Sequence, residues 1–157
     1  MSAFTIDLAT LRDGYSHVAE EARARELGLP EAEWPESVRG SFDVEKSGER
    51  ISVRGTLETR VRLECVRCLK VFELSLGVPL EVFAERSGTG SRRDEEALER
   101  DDYMRFHDGR RLDLTEDARE ALLLEMPMTP LCREDCAGLC PRCGAELNLG
   151  PHACAAP

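Results

Sequence analysis

The chain has 157 residues, seven of them cysteine, and 31 acidic against 21 basic side chains give a formal net charge of -10. One core of ordinary size is open to a chain this long but two full-sized domains are not, 41% hydrophobic residues exclude a wholly disordered chain, and the acidity excludes attachment to nucleic acid by bulk charge. No apolar run nears the ~20 residues of a membrane span, and the opening MSAFTIDLAT has neither a basic nor an apolar leader region, so a cytoplasmic location without membrane contact is expected.

Phe4, Ile6 and Leu8, apolar at every second position, predict a short first strand. Residues 17–27 (HVAEEARAREL) are rich in Ala, Glu and Arg, with Ser16 as N-cap and Gly28 and Pro30 as the stop, and predict a solvated surface helix. From Val38 the period becomes two. Val38, Gly40, Phe42 and Val44 alternate with Arg39, Ser41, Asp43 and Glu45, and Lys46-Ser47-Gly48-Glu49 supplies a hairpin turn. The returning strand, about Ile51 to Glu64, sets Ile51, Val53, Leu57, Val61 and Leu63 on one face and Arg54, Glu58, Arg60, Arg62 and Glu64 on the other. Beyond Cys65-Val66-Arg67-Cys68 the alternation resumes with Phe72, Leu74, Leu76, Val78, Leu80 and Val82, so this Cys-x-x-Cys marks the bend between two long strands.

Residues 85–102 (ERSGTGSRRDEEALERDD) are nearly devoid of apolar side chains and predict a mobile acidic loop. Tyr103 to Phe106 is a short apolar piece, Asp108-Gly109 a turn, and Asp113 or Thr115 the cap of a helix from about Glu116 to Glu125, with Pro127 beyond its end. The elements together predict an α+β fold with an antiparallel β-meander core, one or two helices and a small C-terminal zinc-binding tail. Residues 1–127 would form the α+β domain and residues 128–157 the tail.

Cytosolic thiols stay reduced, so seven cysteines in a chain without an export signal point to metal or redox chemistry rather than disulfides. The tail carries Cys132, Cys136, Cys140 and Cys143, four cysteines in twelve residues, followed by His152 and Cys154. In a Cys-x-x-Cys turn two thiolates can face one ion, and Gly144 after the second cysteine relieves the crowding. With Cys65 and Cys68 the possible ligands number eight, enough for two tetrahedral sites. Two pairings compete. In the local one, favoured because it needs no long loop closure, Cys132, Cys136, Cys140 and Cys143 close a single primary site, leaving Cys65, Cys68, His152 and Cys154 as secondary candidates. In the other, Cys65 and Cys68 share an ion with Cys140 and Cys143, while Cys132 and Cys136 share one with His152 and Cys154.

Zinc is the expected cofactor, with an iron–sulfur cluster as the lesser alternative, and its expected role is to fold the stretch from Cys132 to Pro157, in which only Leu139, Leu147 and Leu149 are large core formers. A redox role for Cys65 and Cys68 competes, yet a thioredoxin-type pair stands at a helix N-terminus and this one joins two strands. His17 and His107 lack partners at ligand spacing and are expected at the surface; Trp34 is expected to anchor a core or an edge. Without a Gly-rich phosphate loop, a GxSxG elbow or an HExxH motif, no enzyme and no small-molecule substrate are expected. Arg54, Arg60 and Arg62 share one strand face, with Arg67 and Lys70 at its turn, and either grip phosphates or pair with carboxylates on neighbouring strands.

Cys65-Val-Arg-Cys68-Leu69, an acidic stretch, Leu112-Asp-Leu114, Leu-Glu-Met-Pro127 and Cys136-Ala-Gly138-Leu139-Cys140-Pro-Arg-Cys143-Gly144 followed by Leu147-Asn148 resemble the YceD family of large-ribosomal-RNA-subunit accumulation proteins in its cysteine-rich bacterial form. The resemblance runs from about Val38 to Cys154. It implies a non-enzymatic role in accumulating large-subunit ribosomal RNA, and, because members lacking the tail cysteines keep the Cys-x-x-Cys corner, a self-contained tail site. The chain departs from the family where His152-x-Cys154 stands in place of a second Cys-x-Cys. The expected partner is large-subunit ribosomal RNA held by the Arg face or a basic large-subunit ribosomal protein held by the acidic surface, and the charge favours the second.

Overall fold

In the computed structural model of the chain, residues 3–86 and 104–154 are described, with backbone alone for 104–106. Four strands carry the architecture: β2 (Gly14–Ala22), β3 (Val38–Ser47), β4 (Arg50–Glu64) and β5 (Val71–Arg86), each antiparallel to the next. Of these, β3, β4 and β5 are the meander the alternating pattern predicts, and β2 adds to its edge. A fifth strand, β6 (Met104–His107), adds to β5 in the parallel direction, so the sheet order is β2-β3-β4-β5-β6. A separate two-stranded sheet pairs β1 (Thr5–Asp7) with β7 (Arg111–Asp113), and α1 (Thr115–Glu125) follows directly. The fold is thus α+β, mostly antiparallel strands with one α-helix among the described residues.

The core lies between the inner sheet face and a layer made by the small sheet, α1 and the segment around Leu27 and Trp34. Phe42, Val44, Val53, Leu57 and Val61 from the sheet meet Phe4, Leu8, Leu114 and Leu122 from that layer, all of them fully buried. Inward positions 40 and 55 carry no side chain, and the Phe42 ring takes the space over both. A methyl on Gly55 would collide with the Ser41 carbonyl oxygen, and one on Gly40 would fall 2.5 Å from the Phe42 ring. Phe42 in turn meets Phe4 edge to face at 5.9 Å.

The expected helix over residues 17–27 is instead strand β2 followed by a short 3-10 turn, Ala24–Leu27. Tertiary pairing overrides the helix-favouring Ala, Glu and Arg: β2 aligns with β3 from Gly14↔Lys46 to Ala22↔Val38. His107 is buried, not at the surface, its Nε2 3.0 Å from the Glu49 carbonyl and its Nδ1 accepting the Gly109 N–H. Trp34 is a core residue. Asp113 does accept the Thr115 N–H at the start of α1, but the N-cap position belongs to Leu114, and the Thr115 hydroxyl accepts from Ala3 and Phe4 N–H groups instead. Of the expected acidic loop, Glu85 and Arg86 end β5, and the remainder lies outside the described residues. No helix among the described residues is long and apolar enough to cross a membrane.

Strands β4 and β5 pair without a break from Arg50↔Glu85 to Glu64↔Val71. Beyond Glu58 the β3 partner is gone, the Glu33 carbonyl accepts the Arg62 N–H, Val61 still lies in the main core, and only the end of the hairpin beyond Leu63 overshoots it. Its tip, residues 65–70, would be too thin to bury anything alone. There a second, smaller core forms from Cys65, Cys68 and Cys136 against Phe72, Leu131 and Leu139.

Candidate metal centre

Each Cys-x-x-Cys is a tight turn of the same design. In the first, the Cys65 N–H reaches the Lys70 carbonyl at 2.8 Å and the Leu69 N–H the Cys65 carbonyl at 2.9 Å. In the second, Cys140 N–H reaches Ala145 carbonyl and Gly144 N–H reaches Cys140 carbonyl, both at 2.8 Å. The residue after the second cysteine is left-handed in both, Leu69 at φ 61 and Gly144 at φ 74. This curl turns backbone amides toward the sulfurs, the arrangement a metal-binding knuckle requires.

The tail folds against the first turn through hydrogen bonds that spacing alone does not reveal. The Val66 N–H donates to the Pro130 carbonyl, Arg67 donates to the Cys136 carbonyl at 2.9 Å, and Lys70 pairs with Glu146. Gly138, at φ 79, lets the tail pass Arg67 closely, for a Cβ there would lie 3.2 Å from its carbonyl oxygen. Cys132 and Cys136 are thereby carried to the hairpin tip.

Two clusters result, in each of which four donor atoms lie within 4.8 Å of one another and could hold a metal ion. The first is Cys65, Cys68, Cys132 and Cys136, with Sγ–Sγ separations of 3.7 Å for Cys65–Cys136 and 3.6 Å for Cys68–Cys132. The second is Cys140, Cys143, His152 and Cys154, with Cys140 and Cys154 sulfurs 3.8 Å apart and His152 Nε2 3.3 Å from Cys143 Sγ. All eight expected donors are brought into fours, but by neither expected pairing. Cys132 and Cys136 do not join Cys140 and Cys143 in one site, and Cys65 and Cys68 do not join the second turn. The preference for local closure fails because α1 packs on β5 and the Val66 N–H meets the Pro130 carbonyl, so the fold itself brings the tail to the first turn and closes the long loop.

The first cluster is electrostatically strained as a set of thiols. The Cys68 backbone N–H, against burial, pulls the Cys65 thiol down to about 6, while burial and the neighbouring Cys68 push Cys132 up to about 12. Cys136 is lowered chiefly by the Asn148 side chain, whose Nδ2 donates to its sulfur at 3.3 Å. A divalent cation among the four sulfurs would let all of them ionise. Asn148 has no role in the expected ligand set, yet its Oδ1 also accepts the Ala137 N–H and an Arg133 N–H, both at 2.8 Å, so it orients both a ligand and the loop carrying it. Its only signal in the sequence is its place in the Leu147-Asn148 pair.

The basic residues of the strand face are exposed, but each already has a partner. Arg54 pairs with Glu81 at 2.7 Å, Arg60 with Glu36 and Glu73, Arg62 with Glu73, and Arg67 and Lys70 are engaged at the tip. On the same outer face His17 stands 2.9 Å from Asp43 and 3.3 Å from the Ser41 hydroxyl, an order of groups that looks like a catalytic relay. Here Ser41 lies mid-strand in β3, between β2 and β4, where the ladders consume the backbone N–H groups an oxyanion would need.

Over residues 53–157, more than half of the chain, the sequence matches the family described as Large ribosomal RNA subunit accumulation protein YceD. It is 37% identical over 109 residues to an uncharacterized protein of Mycobacterium tuberculosis, covering 69% of this chain and 50% of the relative. It is 34% identical over 127 residues to one of Mycobacterium leprae, with 80% and 56% covered. With the Large ribosomal RNA subunit accumulation protein YCED homolog 1, chloroplastic, of Zea mays, identity is 27% over 157 aligned positions, 81% of this chain and 54% of that protein. The chain spans about half the length of the curated relatives it matches. No solved structure shows a significant match. The matched residues take in the hairpin tip, both knuckles and all eight donors, and the chain belongs to the YceD family.

Proposed function

We propose that the chain is a non-enzymatic factor supporting the accumulation of large-subunit ribosomal RNA in the cytoplasm, that zinc fills both clusters, and that a basic ribosomal protein is its direct partner. The process rests on the family match over residues 53–157. Zinc rests on the donor sets: four sulfurs in one cluster and three sulfurs with an imidazole in the other suit a closed tetrahedral site, whereas a catalytic zinc keeps a position open. All seven cysteines are free of disulfides, which suits a reducing compartment.

The observation that carries the choice of partner is the pairing of Arg54, Arg60 and Arg62 with Glu81, Glu36 and Glu73. A phosphate would have to displace a carboxylate from each, on a chain of net charge -10, while a basic protein meets no such competition. The alternative, thiol exchange at Cys65 and Cys68, is disfavoured by their burial inside the first cluster. Pull-down of the tagged chain from cells, reading RNA and protein together across a salt series, is the test. A basic large-subunit ribosomal protein retained at low salt and lost at high salt, after nuclease treatment, supports the reading. Retention of RNA alone, weakened by replacing the three arginines with Gln, sinks it.

A further inference from the structure

We propose that Cys140, Cys143, His152 and Cys154 form an oxidant-labile zinc site, opened by peroxide-class oxidants, while the Cys65, Cys68, Cys132 and Cys136 site stays closed. The proposal rests on the zinc reading above and adds a division of roles between the two ions.

The clusters differ in burial, in apolar cover and in how far apart their donors lie in the chain. In the first, Cys65, Cys68 and Cys136 are buried and Cys132 is half-buried, apolar side chains of Phe72, Leu131 and Leu139 pack on them, and the donors come from segments 64 and 71 residues apart that the Val66–Pro130 and Arg67–Cys136 hydrogen bonds hold together. In the second, Cys143, His152 and Cys154 are all exposed and only Cys140 is buried. Its donors lie within one short stretch, ending at Cys154, and Leu149 beside them in sequence is 82% exposed. Peroxides react with thiolates according to exposure as well as ionisation, so the second cluster meets the oxidant first.

The Cys154 thiolate attacks one peroxide oxygen; the O–O bond breaks, hydroxide leaves, and the sulfur becomes a sulfenic acid. Cys140 Sγ, 3.8 Å away, then attacks that sulfur, forming the S–S bond and expelling the second hydroxide. Two thiolates lose two electrons in all, and the two peroxide oxygens gain them. Cys143 and His152 remain as donors, two where a tetrahedral site needs four, so the ion is lost to solvent. Nothing in the step touches the hairpin tip, which keeps its ion and its fold.

The test uses the full chain loaded with zinc and confirmed at two equivalents by native mass spectrometry. Hydrogen peroxide is added in steps, released zinc is read with a chromogenic chelator, and oxidised cysteines are mapped by alkylation and peptide mass spectrometry. One equivalent leaving, with a disulfide confined to Cys140, Cys143 and Cys154 and reversed by thiol reductant plus zinc, is the expected result. Both equivalents leaving at one rate, oxidation first at Cys65, Cys68, Cys132 or Cys136, or no zinc release overturns it. His152→Ala should load about one equivalent and release none of it under the same exposure; release as in the parent chain counts against the proposal. A parent chain that holds no zinc before oxidant is added refutes the zinc reading itself, an outcome distinct from two ions that leave together.

Discussion

Leu69 and Gly144 occupy the same place in two turns of one design, each the residue after the second cysteine, each left-handed, with φ of 61 and 74. Glycine takes that conformation without penalty, whereas a side chain crowds its own backbone by roughly 1 kcal/mol. Leu69 is more than half exposed and gives little packing in return. Leu69→Gly should therefore raise stability by about 0.5 kcal/mol, net of the added freedom of the unfolded chain, a shift in Tm of a degree or two by calorimetry. A fall in Tm would show that Leu69 makes contacts that outweigh its backbone strain.

Gly55 and Gly77 separate two uses of glycine within one hairpin. An alanine methyl at position 55 would meet the Ser41 carbonyl oxygen and the Phe42 ring, neither of which can yield, and the loss should be about 3 kcal/mol. At position 77 nothing lies within 4 Å, so Gly77→Ala should be neutral or stabilise by about 0.5 kcal/mol. Urea denaturation of the two variants side by side gives the comparison; equal midpoints would contradict the packing of Phe42 over Gly55.

Asn148→Asp keeps Oδ1 for Ala137 and Arg133 but replaces the donor facing Cys136 with an oxygen that repels its thiolate. Loss of such an outer partner costs about 10–100-fold in metal affinity. Competition with a graded chelator should show that loss for one of two ions, with the other unaffected. Equal weakening of both would tie Asn148 to the tail as a whole.

Asp108 holds the turn between β6 and β7, its Oδ1 accepting the Arg110 and Arg111 N–H groups at 2.7 and 2.9 Å. The Arg111 N–H first, then that of Arg110, hold its carboxyl below the usual value of 3.8. A folded pKa depressed in this way contributes stability that is complete above about pH 3.8 and is lost as pH falls through the lower, folded value. Asp108→Asn should flatten that part of the acid unfolding curve; an unchanged slope would place the acid sensitivity elsewhere.

The sheet was readable wherever one strand face is apolar. β3, β4 and β5 alternate cleanly because their inner residues are buried in one core. β2 hides for a physical reason: it is an edge strand with half-exposed inward positions, so Ser16, Val18 and Glu20 show no apolar stripe and its composition favours a helix. The eight donors were equally readable, since cysteines at turn spacing announce themselves. Their partition was not, because it depends on Val66 meeting Pro130 and on Gly138 slipping past Arg67, contacts between segments that no spacing relates.

The first cluster also sets an order of events during synthesis. Cys68 is made 64 residues before Cys132, so at roughly 5–20 residues per second the hairpin's two thiols wait on the order of 3–13 seconds for the rest of their site. Throughout that interval they form a dithiol without the apolar cover of Leu131 and Leu139, open to passing metals and oxidants. The most protected sulfurs of the finished protein are thus the most vulnerable ones of the nascent chain.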